Sequence, residues 1–219
     1  AVVAGHSMGG MTVMAAAGRP LLRERVAAAL LCNTGSSRLL HEATVVPLRA
    51  GWLRHRIQRA LLGSGLPLGP VTPLGMRVLK YGTMGPAATP EQMEACARIV
   101  HACPRRVRAA WAQVLATLDL EADLAALDVP VAVIAGEKDR LTPPAHARRL
   151  AEALPKCVGL TELDGLGHMA PVEAPRTVAE TVAALVRGHL GEADAQPAEP
   201  PEVRTERAER MEPAEEEMS

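Results

Sequence analysis

Val2-Val3-Ala4-Gly5-His6-Ser7-Met8-Gly9-Gly10-Met11 is the stretch that decides how the rest of the chain is read. Its apolar start has the composition of the end of a buried strand. Met8 to Ala17 is rich in Ala and Met and is closed by Gly18 and Pro20, which reads as a helix. Between the two, Gly5-His6-Ser7-Met8-Gly9 satisfies G-x-S-x-G. A strand that turns sharply into a helix brings backbone against backbone, so side chains beside the turn would clash and glycine is required. Gly10 extends the pattern. The turn strains the serine and exposes its hydroxyl, and the helix that follows directs its positive end at the place where an oxyanion would form.

A lone serine hydroxyl is a weak nucleophile. It needs a histidine base, and the base needs a carboxylate to fix its tautomer. Val131 to Ala135 is a short apolar strand that leads into Gly136-Glu137-Lys138-Asp139. Val158 to Leu163 reads as another strand and leads into Asp164-Gly165-Leu166-Gly167-His168. In a parallel sheet the loops after the strands share one edge, so Ser7, Asp139 and His168 can converge there. Glu137 is the competing acid. Asn33, just after the apolar run Val26–Cys32, has no carboxylate to offer. His6 is read as structural or pocket-lining. His41, His55, His101, His146 and His189 have neither acidic nor metal-ligand spacing around them and are read as surface residues. No metal cluster is expected.

Outward from these motifs, strands alternate with helices, the pattern of a parallel sheet covered on both faces. Pro143 to Ala153 and Val172 to Leu190 read as helices of that layer. Residues 36–118 differ, with helical patterns broken by Gly and Pro. There Leu53, Ile57, Ala60 and Leu61 share one helical face and Arg56, Gln58 and Arg59 lie off it. Gly63 to Gly75 is a connector, Thr89-Pro90-Glu91-Gln92 opens a capped helix, and Pro104 divides that helix from one over Arg106–Leu118. From Gly191 the chain is rich in Pro, Glu, Ala and Arg without an apolar period, and 191–219 is read as a disordered acidic tail.

Composition narrows the function. Aromatics make up 1% of the 219 residues, which removes a base-stacking platform, and a net charge of -1 argues against a nucleic-acid binder. The tail carries ten acidic residues and three arginines, net -7, which leaves +6 for residues 1–190. Between Glu42 and Glu91 there is no acidic residue, while Arg49, Arg54, Arg56, Arg59, Arg77 and Lys80 lie there. That cationic stretch is read as a solvated face, with contact to an anionic membrane surface as the sharper alternative. Cys32, Cys96, Cys103 and Cys157 form no C-x-x-C pair and are read as reduced, mostly buried thiols. The opening shows no leader pattern and reads as the middle of a domain, so an N-terminal part of a parent protein is expected to precede it. A cytoplasmic location is the expectation.

These motifs, taken together and in this order, resemble the α/β-hydrolase superfamily over roughly residues 1–190. The segment from Gly5 to Gly10 resembles the nucleophile elbow of monoacylglycerol-lipase-like esterases, Pro130–Pro143 the family's acid loop, and Gly165–Pro175 its histidine loop. The resemblance implies the C-terminal part of an α/β-hydrolase fold, a mostly parallel sheet with flanking helices, with 36–118 as a helical cap. It implies Ser7 as nucleophile, His168 as general base and then acid, Asp139 as its orienter, the Met8 N–H as one oxyanion donor, and Gly5, His6 and Gly9 as the elbow. No cofactor is implied. The expected reaction is hydrolysis of an aliphatic carboxylic ester through an acyl-enzyme. Thioester or carbon–carbon bond hydrolysis and acyl transfer use the same residues. The alternative from another class is a catalytically incomplete fragment or binding module, because the family's strands before the elbow and the loop with the second oxyanion donor do not precede Ala1 here.

Overall fold

Two strands show why the apolar runs are continuous. In β2 (Ala28–Cys32) and β3 (Val131–Gly136) every residue is buried. Ala29, Leu31, Val131, Val133 and Ala135 enter one apolar cluster with Met11, Met14 and Leu150. Ala28, Leu30, Cys32, Ala132 and Ile134 enter a second with Leu185. Successive side chains point to opposite faces, so both faces of the sheet are covered at these two strands. Leu30, Leu31 and Ile134 are almost wholly removed from solvent, and each such side chain contributes about 1.5–3 kcal/mol.

The computed structural model describes residues 1–49, 51–62 and 72–190. Its four strands, β1 (Val2–His6), β2, β3 and β4 (Cys157–Leu163), form one parallel sheet in the order β1-β2-β3-β4. His6 pairs with Cys32, Cys32 with Ile134, and Gly136 with Leu163. Parallel neighbours require crossovers. The first is made by α1 (Met8–Ala15) and α2 (Pro20–Arg25). The second contains α3 (Leu39–Glu42), α4 (Trp52–Leu62), α5 (Pro73–Thr83), α6 (Pro90–Ala102) and α7 (Arg105–Thr117). The third is α8 (Pro144–Ala153), and after β4 come α9 (Ala170–Glu173) and α10 (Pro175–His189). Helices α1 and α8 cover one face of the sheet and α10 the other. No helix among the described residues is long and apolar enough to cross a membrane.

Several elements differ from the sequence reading. The last helix is two helices. Pro175 disfavours helical geometry in the residue before it, and Ala174 sits at φ -136°, ψ 56° between α9 and α10. Pro20, read as a stop, instead opens the short helix α2, where its missing N–H costs nothing. Among the described side chains of α4 the buried one is Gln58, 0% exposed, while Leu53 is 49% exposed. Gln58 turns inward because its Nε2 donates to the Leu40 carbonyl at 2.7 Å, an acceptor in the short helix α3. The side chains of His55, Arg59 and Leu61, residues 63–71 of the connector, and the tail 191–219 lie outside the described residues. The cap expected at Thr89 is present and is a full capping box: Thr89 Oγ1 accepts from Gln92 N–H, and Gln92 Oε1 from Thr89 N–H.

Candidate active site

Ser7 stands between β1 and α1 at φ 51°, ψ -117°. A non-glycine residue held there costs about 1–3 kcal/mol. Hydrogen bonds to the Ser7 backbone offset that cost. Ser7 N–H donates to Cys32 O at 3.0 Å, and Ser7 O accepts from Gly10 N–H at 3.0 Å and from Thr34 Oγ1 at 2.8 Å. The lack of room holds at two of the three glycines of the turn. A Cβ on Gly5 would meet Gly10 Cα at 2.6 Å, and one on Gly10 would meet the Thr34 side chain at 2.7 Å. Gly9 is different: among the described residues nothing lies within 4 Å of a Cβ placed there. Met8 is the first residue of α1.

The loops after β1, β3 and β4 bring Ser7, Asp139 and His168 together, with His168 in the middle. Its Nε2 lies 2.9 Å from Ser7 Oγ and its Nδ1 lies 2.8 Å from Asp139 Oδ2. With Asp139 ionised, Nδ1 carries the proton and donates to it, and Nε2 is left to accept from the serine hydroxyl. Asp139 is 3% exposed. Burial pushes its carboxyl up, but His168 and hydrogen bonds from His168, the Thr142 backbone and Asn33 outweigh burial and hold it below the usual carboxylate range. Oδ1 accepts from the N–H groups of Leu141 (2.8 Å) and Thr142 (2.9 Å). Oδ2 accepts from Thr142 Oγ1 (2.8 Å) and Asn33 Nδ2 (3.0 Å). Every one of these groups donates, so the site favours a charged aspartate.

Glu137, the competing acid, points elsewhere: its carboxylate accepts from Lys138 Nζ at 2.8 Å and from Gly165 N–H at 2.9 Å. His6 underlies His168, with Nε2 donating to His168 O at 2.7 Å and the two rings 5.1 Å apart. Burial, together with His168, holds the His6 imidazole below its ordinary range, so it is a neutral donor. His146 corrects the sequence reading. It is 1% exposed, not on the surface. It lies on the inward face of α8, where Nδ1 accepts from Arg149 Nη2 at 3.0 Å and Nε2 lies 3.4 Å from Glu42 Oε2. Cys32 and Cys96 are buried, Cys103 and Cys157 only half-buried, and all four are free thiols.

Sequence reasoning passed over Asn33 and Thr142. As a sequence feature Asn33 stands out only for lacking a carboxylate. It sits at φ 46°, a left-handed conformation that asparagine tolerates, and donates through Nδ2 to both Asp139 Oδ2 and Gly167 O. Its place directly after β2 was the available signal. No group of three or more His, Cys, Asp or Glu side chains among the described residues is arranged to hold a metal ion.

A strand-turn-helix serine, a histidine after the last strand and an aspartate after the strand beside it, on one parallel sheet, are the framework of the alpha/beta hydrolases. The model of the alpha/beta hydrolase family matches residues 1–181, and the chain belongs to that family. Over 190 residues it is 30% identical to the uncharacterized hydrolase YugF of Bacillus subtilis (strain 168), a match covering 85% of this chain and 65% of that protein. The chain thus spans just under two thirds of that relative's length. Among solved structures it is similar to a thermophilic esterase from Thermogutta terrifontis, with a TM-score of 0.65, 22% identity, and coverage of 85% of this chain and 64% of that one. It is also similar to a bromoperoxidase from Bacillus anthracis, with a TM-score of 0.61, 14% identity, and coverage of 85% and 67%. At these identities the likeness is one of fold.

Proposed function

We propose that the chain is the catalytic portion of a serine hydrolase that cleaves aliphatic carboxylic esters through an acyl-enzyme. The observation that carries this reading is the continuous path from Ser7 Oγ through the His168 ring to the buried Asp139 carboxylate, at 2.9 and 2.8 Å. Ser7 Oγ attacks the ester carbonyl carbon while His168 Nε2 takes its proton. Asp139, already ionised, stabilises the imidazolium that results. Charge gathers on the carbonyl oxygen, where the Met8 N–H at the positive end of α1 supplies one donor. The tetrahedral intermediate collapses, His168 protonates the departing alkoxide, and Ser7 keeps the acyl group. Water, deprotonated by His168, then repeats the sequence and releases the acid. Helices α3 to α7 are the cap over this site.

Release of p-nitrophenol from esters of increasing acyl length tests the reading. Activity that falls by about 10⁴-fold or more in Ser7→Ala and His168→Ala supports it. Ester binding without turnover in the unaltered chain would favour the non-catalytic alternative.

A second reading concerns where the cap sits. We propose that it contacts an anionic lipid surface. Trp52 (73% exposed), Leu74 (71%) and Val78 (62%) project from α4 and α5, in the stretch that has no acidic residue. Arg56, exposed on α4, lies over the Trp52 ring at 5.9 Å, and Arg77 is exposed on α5. Sedimentation with phosphatidylglycerol vesicles at low salt, lost with phosphatidylcholine vesicles or in Arg56→Glu/Arg77→Glu, supports it. No sedimentation at low salt removes it.

A further inference from the structure

The loop that presents His168 has little stiffness of its own. It reads Gly165-Leu166-Gly167, and Gly165 sits at φ 71°. On the side of the sheet it is held by Lys138 N–H donating to Leu166 O at 2.8 Å and by Asn33 Nδ2 donating to Gly167 O at 3.1 Å. On the opposite side stands the junction between α5 and α6. There Thr83 O accepts from the His168 N–H at 2.9 Å. A Cβ on Gly85 would overlap the Gly165 carbonyl, and a Cβ on Gly167 would meet Met84 Cα at 2.5 Å. The two segments therefore lie backbone against backbone, with Met84 and Met169 buried in one cluster.

One carboxylate spans this seam. Glu173, at the end of α9, accepts Gly85 N–H through Oε2 at 2.7 Å. It accepts Gly167 N–H through Oε1 at 3.0 Å, with Oε2 at 3.3 Å from the same nitrogen. Its own backbone is fixed in turn, because Gln92 Nε2 donates to Val172 O and to Glu173 O, both at 3.2 Å. Backbone amides bound to a carboxylate form charge-assisted bonds, about twice as strong as neutral ones.

We propose that Glu173 is a positioning residue for the catalytic histidine: it fastens the Leu166-Gly167 peptide, whose N–H lies one residue before His168, to the α5–α6 junction and so keeps the imidazole aligned between Ser7 and Asp139. It acts through two backbone amides and takes no part in binding the ester. Without it, Gly167 and Gly85 each lose their acceptor, and the glycine-rich loop is left tied to the α5–α6 junction only by the His168 N–H bond to Thr83 O and by packing. A displacement of about 1 Å at the base is enough to cost roughly a hundredfold in rate. The proposal rests on the reading of Ser7, His168 and Asp139 as the catalytic set.

The test compares Glu173→Ala and Glu173→Gln with the unaltered chain. The readouts are kcat and KM on a p-nitrophenyl ester, the rate of phosphonylation by a fluorophosphonate, thermal unfolding, and the low-field NMR signal of the His168 Nδ1–H bonded to Asp139. Glu173→Ala is expected to lower kcat and phosphonylation by about 10- to 100-fold, to leave KM within about twofold, and to broaden the low-field signal while the chain stays folded. Glu173→Gln keeps the length and one acceptor oxygen, and is expected to recover part of the rate and a sharper signal. If Glu173→Ala does not fold, Glu173→Gln carries the test through a reduced kcat at constant KM. An unchanged kcat and an unchanged signal in a folded variant would overturn the proposal, as would losses that merely track the unfolded fraction. If the unaltered chain is not phosphonylated, the proposed function fails, and the NMR signal alone decides the role of Glu173.

Discussion

Asn33 and Asp139 meet at the C-terminal edge of the sheet, with Asn33 Nδ2 donating to Asp139 Oδ2 at 3.0 Å. Asn33 follows β2 and Asp139 follows β3, so adjacent strands supply a carboxylate and the amide that keeps it charged. Asn33→Ala removes a donor from a buried carboxylate and from the Gly167 carbonyl. A stability loss of about 1–3 kcal/mol is expected, measured by urea unfolding. Asn33→Asp sets a second carboxylate beside the first, and two such groups resist joint ionisation. Its ester-hydrolysis profile is expected to lose activity at a higher pH than the parent as the medium is acidified. An unchanged acidic limb would contradict this account of Asp139.

The glycines of the nucleophile turn are expected to behave unequally. Gly5→Ala drives a methyl group into the Gly10 backbone, and Gly10→Ala drives one into Thr34. Overpacking of this kind costs about 1–3 kcal/mol, or roughly 2–4 °C in Tm per kcal/mol for a chain of this size. Gly9→Ala meets nothing within 4 Å among the described residues and is expected to leave Tm close to that of the parent. Equal losses at all three positions would contradict the packing argument.

Those contrasts mark what was legible in the sequence. The turn, its serine, and the loops carrying Asp139 and His168 could be read because each ends an apolar strand and holds a residue type with few other uses there. The sheet could be read because continuous apolar runs need two covered faces. Distant partners that carry no motif of their own could not. Glu173 and Gly85 are 88 residues apart, and Asn33 and Asp139 are 106 apart. No local pattern distinguishes a glutamate that binds two amides from one that faces water. Gln58 and His146 were misplaced for the same reason: an acceptor or an ion pair from a distant element decided their burial, against their local polarity.

Stability is expected to fall in mild acid. His6 and His146 are both held below the ordinary imidazole range, chiefly by burial. His6 faces His168 and Asp139, and His146 faces Arg149 and Glu42. In the unfolded chain both titrate near pH 6.5. Below that value the unfolded chain binds protons that the folded chain refuses, so stability is full above about pH 6.5 and declines as pH drops. The depressed carboxyl of Asp139 adds a further loss below about pH 4, as pH falls through its folded value. Tm measured from pH 8 to pH 5 is expected to decline, with a shallower slope in His146→Gln. A flat profile in the parent would contradict the buried neutral histidines.

The thiols are expected to divide by burial. Burial, reinforced by Asp139, pushes Cys32 up to about 12, and its Sγ donates to Asn33 Oδ1 at 3.3 Å. Only the thiolate reacts. Iodoacetamide on the native chain, followed by peptide mass spectrometry, is expected to modify Cys103 and Cys157 first and to leave Cys32 intact until unfolding. Early modification of Cys32 would contradict its buried, protonated state.

The most direct test of the central claim is labelling of the chain with a fluorophosphonate and location of the adduct by mass spectrometry, with Ser7→Ala and His168→Ala alongside. A serine activated by His168 and Asp139 predicts a single adduct on Ser7, absent from Ser7→Ala and at least about 10³-fold slower in His168→Ala. No adduct on Ser7, or labelling of Ser7 that is indifferent to His168, would contradict it.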